Sequence, residues 1–309
     1  MQQRDSSWSN PVAVGLLSRI GAFSPSFKKR VRDLCGMPES LARIGSLELR
    51  LAVTRKEIRR AQKLRWRVFF KEGGARADTL SQLRRRDICA FDEVCDHLIV
   101  IDHEARTRTG RLKPRVVGVY RLLRQDVAER NFGFYSATEF DIAPMLAAHP
   151  GKRFLELGRS CVLPDYRSKR TLELLWRGIW AYAQHHRMDA MIGCASLQGV
   201  DATAVAEQLA FLHHFACAND EWRASALPHR YCNMALRPRE GIDRKRALLS
   251  LPPLVKGYLR LGAMFGDGAV IDTQFGTTDV FVVLPIERIQ PRYIEHFTSP
   301  ASEANTLAA

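Results

Sequence analysis

The stretch ELGRSCVLPDYR, Glu156 to Arg167, decides how this chain is read. Up to Leu163 it has the apolar content of a buried strand, with a β-branched Val162 and a stop at Pro164. It also carries Glu156 and Arg159, three positions apart. Side chains on a regular strand alternate faces, so this spacing sends the two charges to opposite sides. A charge buried without a partner is expensive. One extra residue in the strand removes the conflict by bringing both charges to one face. Gly158 lies between them, and glycine inside a strand often marks such a break. The expectation is a ladder broken near Gly158, with Glu156 and Arg159 facing one cleft.

Beyond Leu163 the chain turns through Pro164, Asp165 and Tyr166. It then opens a helix at Arg167, Ser168, Lys169, Arg170 and Thr171. Unpaired N–H groups at a helix start form an anion site. Cations there oppose the helix dipole and are mildly unfavourable unless an anion joins them. A bound phosphate accounts for this composition; a plain basic surface turn is the alternative.

Working outward, the regular pattern begins at SLELRLAV, an alternating strand. Thr54 and Glu57 form a capping box for a helix running to about Phe70. Ile58, Ala61, Leu64, Val68 and Phe69 share one arc of it, and Arg65 lies inside that arc. The polar stretch from Gly73 to Asp96 reads as a long loop. HLIVID and RVVGVYRLL read as paired strands, and Arg121 shares a face with Val117, Val119 and Leu123. A second arginine thus falls where burial is expected. A helix after Arg167, a strand at AMIGCA, a helix at ATAVAEQLAFLHHFA and a short strand at YCNMAL follow. The order β-α-β-β-β-α-β-α-β predicts an α/β fold, with helices packed on a mixed central sheet. Residues 1–45 read as a basic N-terminal arm and 46–240 as the main domain. Residues 241–297, with a strand at TDVFVVLP, read as an extension packed on that domain, and 298–309 as a disordered tail.

The 309 residues include 47 Lys+Arg against 33 Asp+Glu, a net charge of +14 that favours an acidic partner. Nucleic acid, an anionic membrane and an acidic protein all qualify. No helix-turn-helix or aromatic-rich RNA motif supports the first, so nucleic acid is not expected. Seven cysteines without C-x-x-C spacing argue against disulfides and zinc ribbons and for a reducing cytoplasm. No apolar run approaches the roughly 20 residues of a membrane span. The basic arm and the segment PPLVKGYLRLGAMFG are candidates for peripheral contact with the inner membrane, with a loose arm and core packing as their alternatives. The pairs His185-His186 and His213-His214 lack a third ligand at metal spacing, so no metal is expected. Ser160-Cys161 lies in an apolar run and reads as core rather than nucleophile.

The strand, loop and helix from Glu156 to Thr171 resemble the acyl-donor site of the GCN5-related N-acyltransferase (GNAT) fold. In that fold a bulged central strand meets a pantetheine arm, and the following loop, Gln/Arg-x-x-Gly-x-Gly/Ala, cradles phosphate. Arg167 fits the first position, whereas Arg170 and Leu172 replace the small residues. That departure, with the net charge, suits acyl-carrier protein (ACP) and its single pantetheine phosphate better than coenzyme A. The acyl-homoserine-lactone synthases are similar in more detail. Their R-x-x-x-F matches Arg65 to Phe69, their RLL matches Arg121 to Leu123, and their E-x-x-R matches Glu156 and Arg159. Asp92 resembles one of their acidic loop residues; the other falls near Cys89 and is missing or shifted to Asp87.

A longer resemblance spans most of 46–297. GFYSATEFD, ELGRSCVLPDYR, TLELLWRGI, GCASLQG and PLVKGYLRLGAMFGDGAVID are similar to the L-ornithine Nα-acyltransferases of ornithine-lipid synthesis. The resemblance implies transfer of a 3-hydroxyacyl chain from acyl-ACP to the α-amine of ornithine, giving lyso-ornithine lipid. The donor is the 4′-phosphopantetheine thioester, and no bound cofactor is implied. Within that reaction Glu156 is the candidate base, or else it only holds Arg159 or the substrate ammonium. Arg159 and Arg121 are candidates for the acceptor's carboxylate, and Asp92 or Glu139 for an ammonium, with Arg65 beside them. Arg167, Ser168, Lys169, Arg170 and Thr171 are candidates for the phosphopantetheine. The alternatives are an acyl-homoserine-lactone synthase and a non-catalytic basic protein that binds membrane or nucleic acid.

Overall fold

The structure is a computed structural model that describes residues 34–298. The expected arm up to residue 33 and the tail from 299 lie outside the described residues. Ten strands form the frame: β1 Ala42–Ile44, β2 Leu47–Leu51, β3 Asp96–Asp102, β4 Arg115–Arg124, β5 Phe140–Asp141, β6 Phe154–Val162, β7 Ala190–Gln198, β8 Ser225–Ala226, β9 Met264–Asp272 and β10 Thr277–Pro285. The α-helices are α1 Arg55–Arg65, α2 Thr79–Arg84, α3 Gln125–Glu129, α4 Ala143–Ala148, α5 Lys169–His185, α6 Ala206–Ala216, α7 Arg244–Ser250, α8 Pro253–Leu261 and α9 Pro291–Thr298.

The sheet order is β1-β2-β3-β4-β6-β7-β10-β9-β8-β5. β6 runs antiparallel to β4 and parallel to β7, so the sheet is mixed. Helices cover both faces. Gly178 of α5 packs so closely over Leu49 and Leu98 that an added Cβ would lie 2.4 Å from the first. Leu98 pairs with Tyr120, and its neighbour His97 pairs with Arg121, so Arg121 points to the opposite face. On that face α1 buries Ala61, Leu64 and Arg65.

The central strand departs from regularity one residue later than Gly158. Gly158 keeps its partner Arg121, and Val119 keeps Cys161, leaving Arg159 and Ser160 to oppose Tyr120 alone. Arg159 takes the left-handed conformation, with φ at 51°. The extra residue therefore resides in an arginine held at a costly backbone angle, not in the permissive glycine. Pairing of β6 with β7 stops at Glu156, opposite Ile192. The next residue of β7, Gly193, lies so close to the parting strand that a Cβ would sit 2.4 Å from the Leu157 carbonyl oxygen. From there the two strands separate and open a cleft.

Four expectations need correction. Thr54 and Glu57 do form the capping box, at 3.3 and 3.1 Å. But the helix widens into a π-helix at Trp66–Glu72 instead of continuing as α to Phe70. The polar stretch from Gly73 to Asp96 contains α2, started by the Asp78 carboxylate accepting from Ser81 N–H. YCNMAL contributes a single bridge, Cys232 to Ala269, and the nearby strand is β8. Residues 264–272, given no strand of their own in the 241–297 extension, form β9 beside β10. Among the described residues no helix is long and apolar enough to cross a membrane.

Candidate active site

Three elements converge on the cleft. β6 supplies Glu156 and Arg159, β4 supplies Arg121, and the 3₁₀ turn Tyr135–Thr138 closes over them. Glu156 is 5% exposed. Its carboxylate accepts the Tyr135 N–H at 2.9 Å, the Ser136 N–H at 2.7 Å and the Ser136 hydroxyl at 2.6 Å. Burial raises its pKa above the ordinary value, although those donors and Arg121 pull the other way. The Arg159 guanidinium lies 4.9 Å from the Tyr135 ring centre and 4.6 Å from that of Phe275. Glu156 and Arg159 thus meet the same residue, Tyr135, from one cleft, as the spacing argument requires.

The Arg121 guanidinium lies 5.4 and 5.6 Å from the ring centres of Phe91 and Tyr135, which meet each other edge to face at 5.6 Å. Its Nη1 is 3.6 Å from Asp92 Oδ1, and Arg159 Nε is 3.6 Å from Asp87 Oδ2. Both separations are ion pairs without a hydrogen bond, and both nitrogens are buried without a hydrogen-bond acceptor. Two cations therefore line the cleft, each with one buried nitrogen, on the side of these carboxylates, that makes no hydrogen bond.

Behind them is a saturated cluster. Arg65, 1% exposed, donates to Asp87 Oδ2 at 2.7 Å, to the Asp87 carbonyl at 2.8 Å and to both oxygens of Asp92 at 2.8 and 2.7 Å. Gln62 and the Cys89 N–H also donate to Asp92. Burial alone would raise the Asp92 pKa, but Arg65, His97 and Arg121 overcome it and hold the carboxyl well below the ordinary range. Arg65 and Asp92 do not line the cleft. They sit beneath Arg121 and Arg159 and anchor them through Asp92 and Asp87.

The cleft is a cavity of about 520 Å³. Glu72 and Arg167 lie on its lining, joined at 2.6 Å and both well exposed; Arg121, Glu156, Asp272 and Asp279 line it deeper in the protein. Arg167 through Arg170 are exposed at the start of α5. Ser168 caps that helix by accepting the Thr171 N–H, and Thr171 itself is fully buried, its hydroxyl 3.3 Å from that of Ser168. Glu139 is 2% exposed and follows the 3₁₀ turn directly, its N–H bonded to the Ser136 carbonyl. Its carboxylate lies near those of Asp272 and Asp279, with one oxygen of each within 4.8 Å of the other two. Burial first, and then Asp279, pushes the Glu139 pKa up to about 7; burial likewise pushes Asp279 up to about 6. Burial also drives the Cys161 thiol far from ionisation, which suits a core residue and not a nucleophile.

Sequence reading missed Tyr135, Ser136, Asp272, Phe275 and Asp279. Asp279 carried a usable signal. It is an acidic residue within the apolar strand TDVFVVLP, as odd there as Glu156 in its own strand. Tyr135 and Ser136 had none, because they act chiefly through backbone N–H groups that every residue has.

Residues 64–177 match an acetyltransferase (GNAT) domain. The chain is 56% identical over 263 residues to an L-ornithine N(alpha)-acyltransferase of Agrobacterium fabrum, covering 85% of this chain and 89% of that protein. It is 51% identical over 292 residues to one from Rhizobium meliloti, covering 94% and 97%. Among solved structures, an N-acyl amino acid synthase from uncultured soil microbes aligns at a TM-score of 0.44 and 12% identity, covering 78% of this chain and 91% of that one.

Proposed function

The chain belongs to the L-ornithine N(alpha)-acyltransferase family, and from that membership we propose that it moves a 3-hydroxyacyl chain from acyl-ACP to the α-amine of L-ornithine. The amine enters as an ammonium. It gives one proton to the site, and its nitrogen then attacks the thioester carbonyl. The C–N bond forms as the C–S bond breaks, and the nitrogen's second proton leaves with the pantetheine sulfur as a thiol. The product is lyso-ornithine lipid. No bound cofactor takes part.

The observation that carries this mechanism is the buried Glu156 carboxylate in the same cavity as the Arg121 and Arg159 guanidiniums. Its raised pKa makes Glu156 a better base than an exposed glutamate, and its three donors aim it. Arg121 and Arg159 suit the acceptor's carboxylate. Arg65 and Asp92 are then positioning residues. On the donor side, exposed Arg167, Lys169 and Arg170 at a helix start suit a phosphopantetheine phosphate, with Ser168 as cap. The net charge of +14 suits acidic ACP. The test is purified protein with 3-hydroxyacyl-ACP and a panel of glycine, lysine and ornithine, read by mass spectrometry. The expected product is Nα-(3-hydroxyacyl)ornithine; an acyl-homoserine lactone from cells expressing the chain would sink the assignment.

The proposal includes a cytoplasmic site of action with peripheral contact to the inner membrane. On α7, Leu248 and Leu249 are 40% and 65% exposed beside Arg244, Lys245 and Arg246. Apolar side chains next to cations suit an anionic lipid surface. We expect the protein to sediment with anionic vesicles and Leu249→Glu to weaken this several-fold; equal sedimentation with neutral vesicles would remove the charge argument.

A further inference from the structure

The geometry points to Glu139, Asp272 and Asp279 as the subsite that holds the side-chain ammonium of the acceptor, so that the enzyme selects a diamino acid. This rests on the reading of the cavity as an amino-acid acylation site and adds the feature that tells ornithine from a neutral amino acid.

Asp272 and Asp279 line the same cavity as Glu156. Glu139 joins them within 4.8 Å. All three residues are at least nine-tenths buried. Asp279 lines the cavity, and its buried Oδ1 has no hydrogen-bond partner; neither does the buried Glu139 Oε2. Buried carboxylate oxygens without a donor are costly, and a bound donor would satisfy them. Arg230 acts on Glu139 and Arg159 on Asp279, but neither donates a hydrogen bond to these two oxygens. Arg230 Nη1 comes only to 3.9 Å from Glu139 Oε1, and Asp272 Oδ1 is taken by the Gln274 and Phe275 N–H groups.

A primary ammonium presents three N–H donors on one unit charge, one for each carboxylate. A divalent cation, with water completing its shell, is the competing occupant, and the chelator arm of the test separates the two. The triad also lies next to the turn that holds Glu156. The Ser136 hydroxyl donates to Glu156 and lies 3.5 Å from Cys194 Sγ, and the Glu139 N–H bonds the Ser136 carbonyl. Glu156 and Glu139 therefore flank one short turn. An acceptor with its carboxylate on Arg121 and Arg159 and its α-amine at Glu156 would extend its side chain past Ser136 to the triad.

The test compares L-ornithine with L-norvaline, which has the same chain without the terminal amine, using 3-hydroxyacyl-ACP. Wild type is expected to favour ornithine by about 100-fold or more in kcat/KM, as a site with buried unpaired polar groups rejects the analogue that cannot pair them. Asp279→Asn and Glu139→Gln are each expected to lower that ratio at least tenfold. In a second measurement on wild type, ornithine and not norvaline raises the melting temperature. Variants that keep the full preference overturn the subsite alone. So does ornithine turnover that chelator abolishes and Mg²⁺ or Ca²⁺ restores, because the triad then holds a metal. Wild type that acylates neither amino acid overturns the acylation reading, and the subsite falls with it.

Discussion

Replacing Glu156 by glutamine is expected to lower kcat/KM by about 10²- to 10⁴-fold, the usual worth of a positioned general base. The loss should shrink as pH rises. At high pH more of the acceptor amine is already neutral, and the proton that Glu156 removes is no longer there. This pH dependence separates two roles for one side chain. If Glu156 only holds the turn at Tyr135 and Ser136, the defect is the same at every pH. The wild-type rate should also fall as pH drops through the Glu156 pKa, which burial has raised, because the protonated carboxyl cannot accept. A glutamine variant within fivefold of wild type at neutral pH would remove Glu156 from the chemistry.

Replacing Arg65 by leucine is expected to cost about 3–5 kcal/mol of folding stability, since it leaves two buried carboxylates without their shared cation. Asp87 and Asp92 would be left with Arg159 and Arg121, each 3.6 Å away without a hydrogen bond, in place of the guanidinium that bonds them both. Lysine should rescue little, because one ammonium cannot reproduce the fork that reaches both acids. Urea unfolding measures this directly. A variant of unchanged stability that merely bound the acceptor more weakly would show Arg65 to be a substrate contact, as the family resemblance first implied.

The same contrast shows what could be read in advance. Arg65, Arg121 and Glu156 were visible as charges inside apolar patterns, and all three proved buried in one polar system. The pattern could say that each needs a partner but not which. Arg65 turned out to be satisfied by protein, whereas Arg121 and Arg159 line the cavity and each keeps one buried nitrogen without a hydrogen bond. Thr171 shows the reverse limit. Sequence position grouped it with the exposed loop, and the first turn of α5 buries it.

By itself the sequence determined the alternation of elements and the site of the broken strand, because local periodicity and an odd charge spacing need no distant partner. It also determined the capping box and the apolar faces. Only the tertiary structure decided that the extra residue is Arg159 and not Gly158, since the ladder with β4 sets which residue is left over. Only the tertiary structure brought Glu139 to Asp272 and Asp279, because contact between positions so far apart in the chain depends on how β9, β10 and the Tyr135 turn pack together. Such proximity leaves no periodic trace. Asp279 alone stood out, as an acid in an apolar strand, but the negative pocket exists only where the three meet.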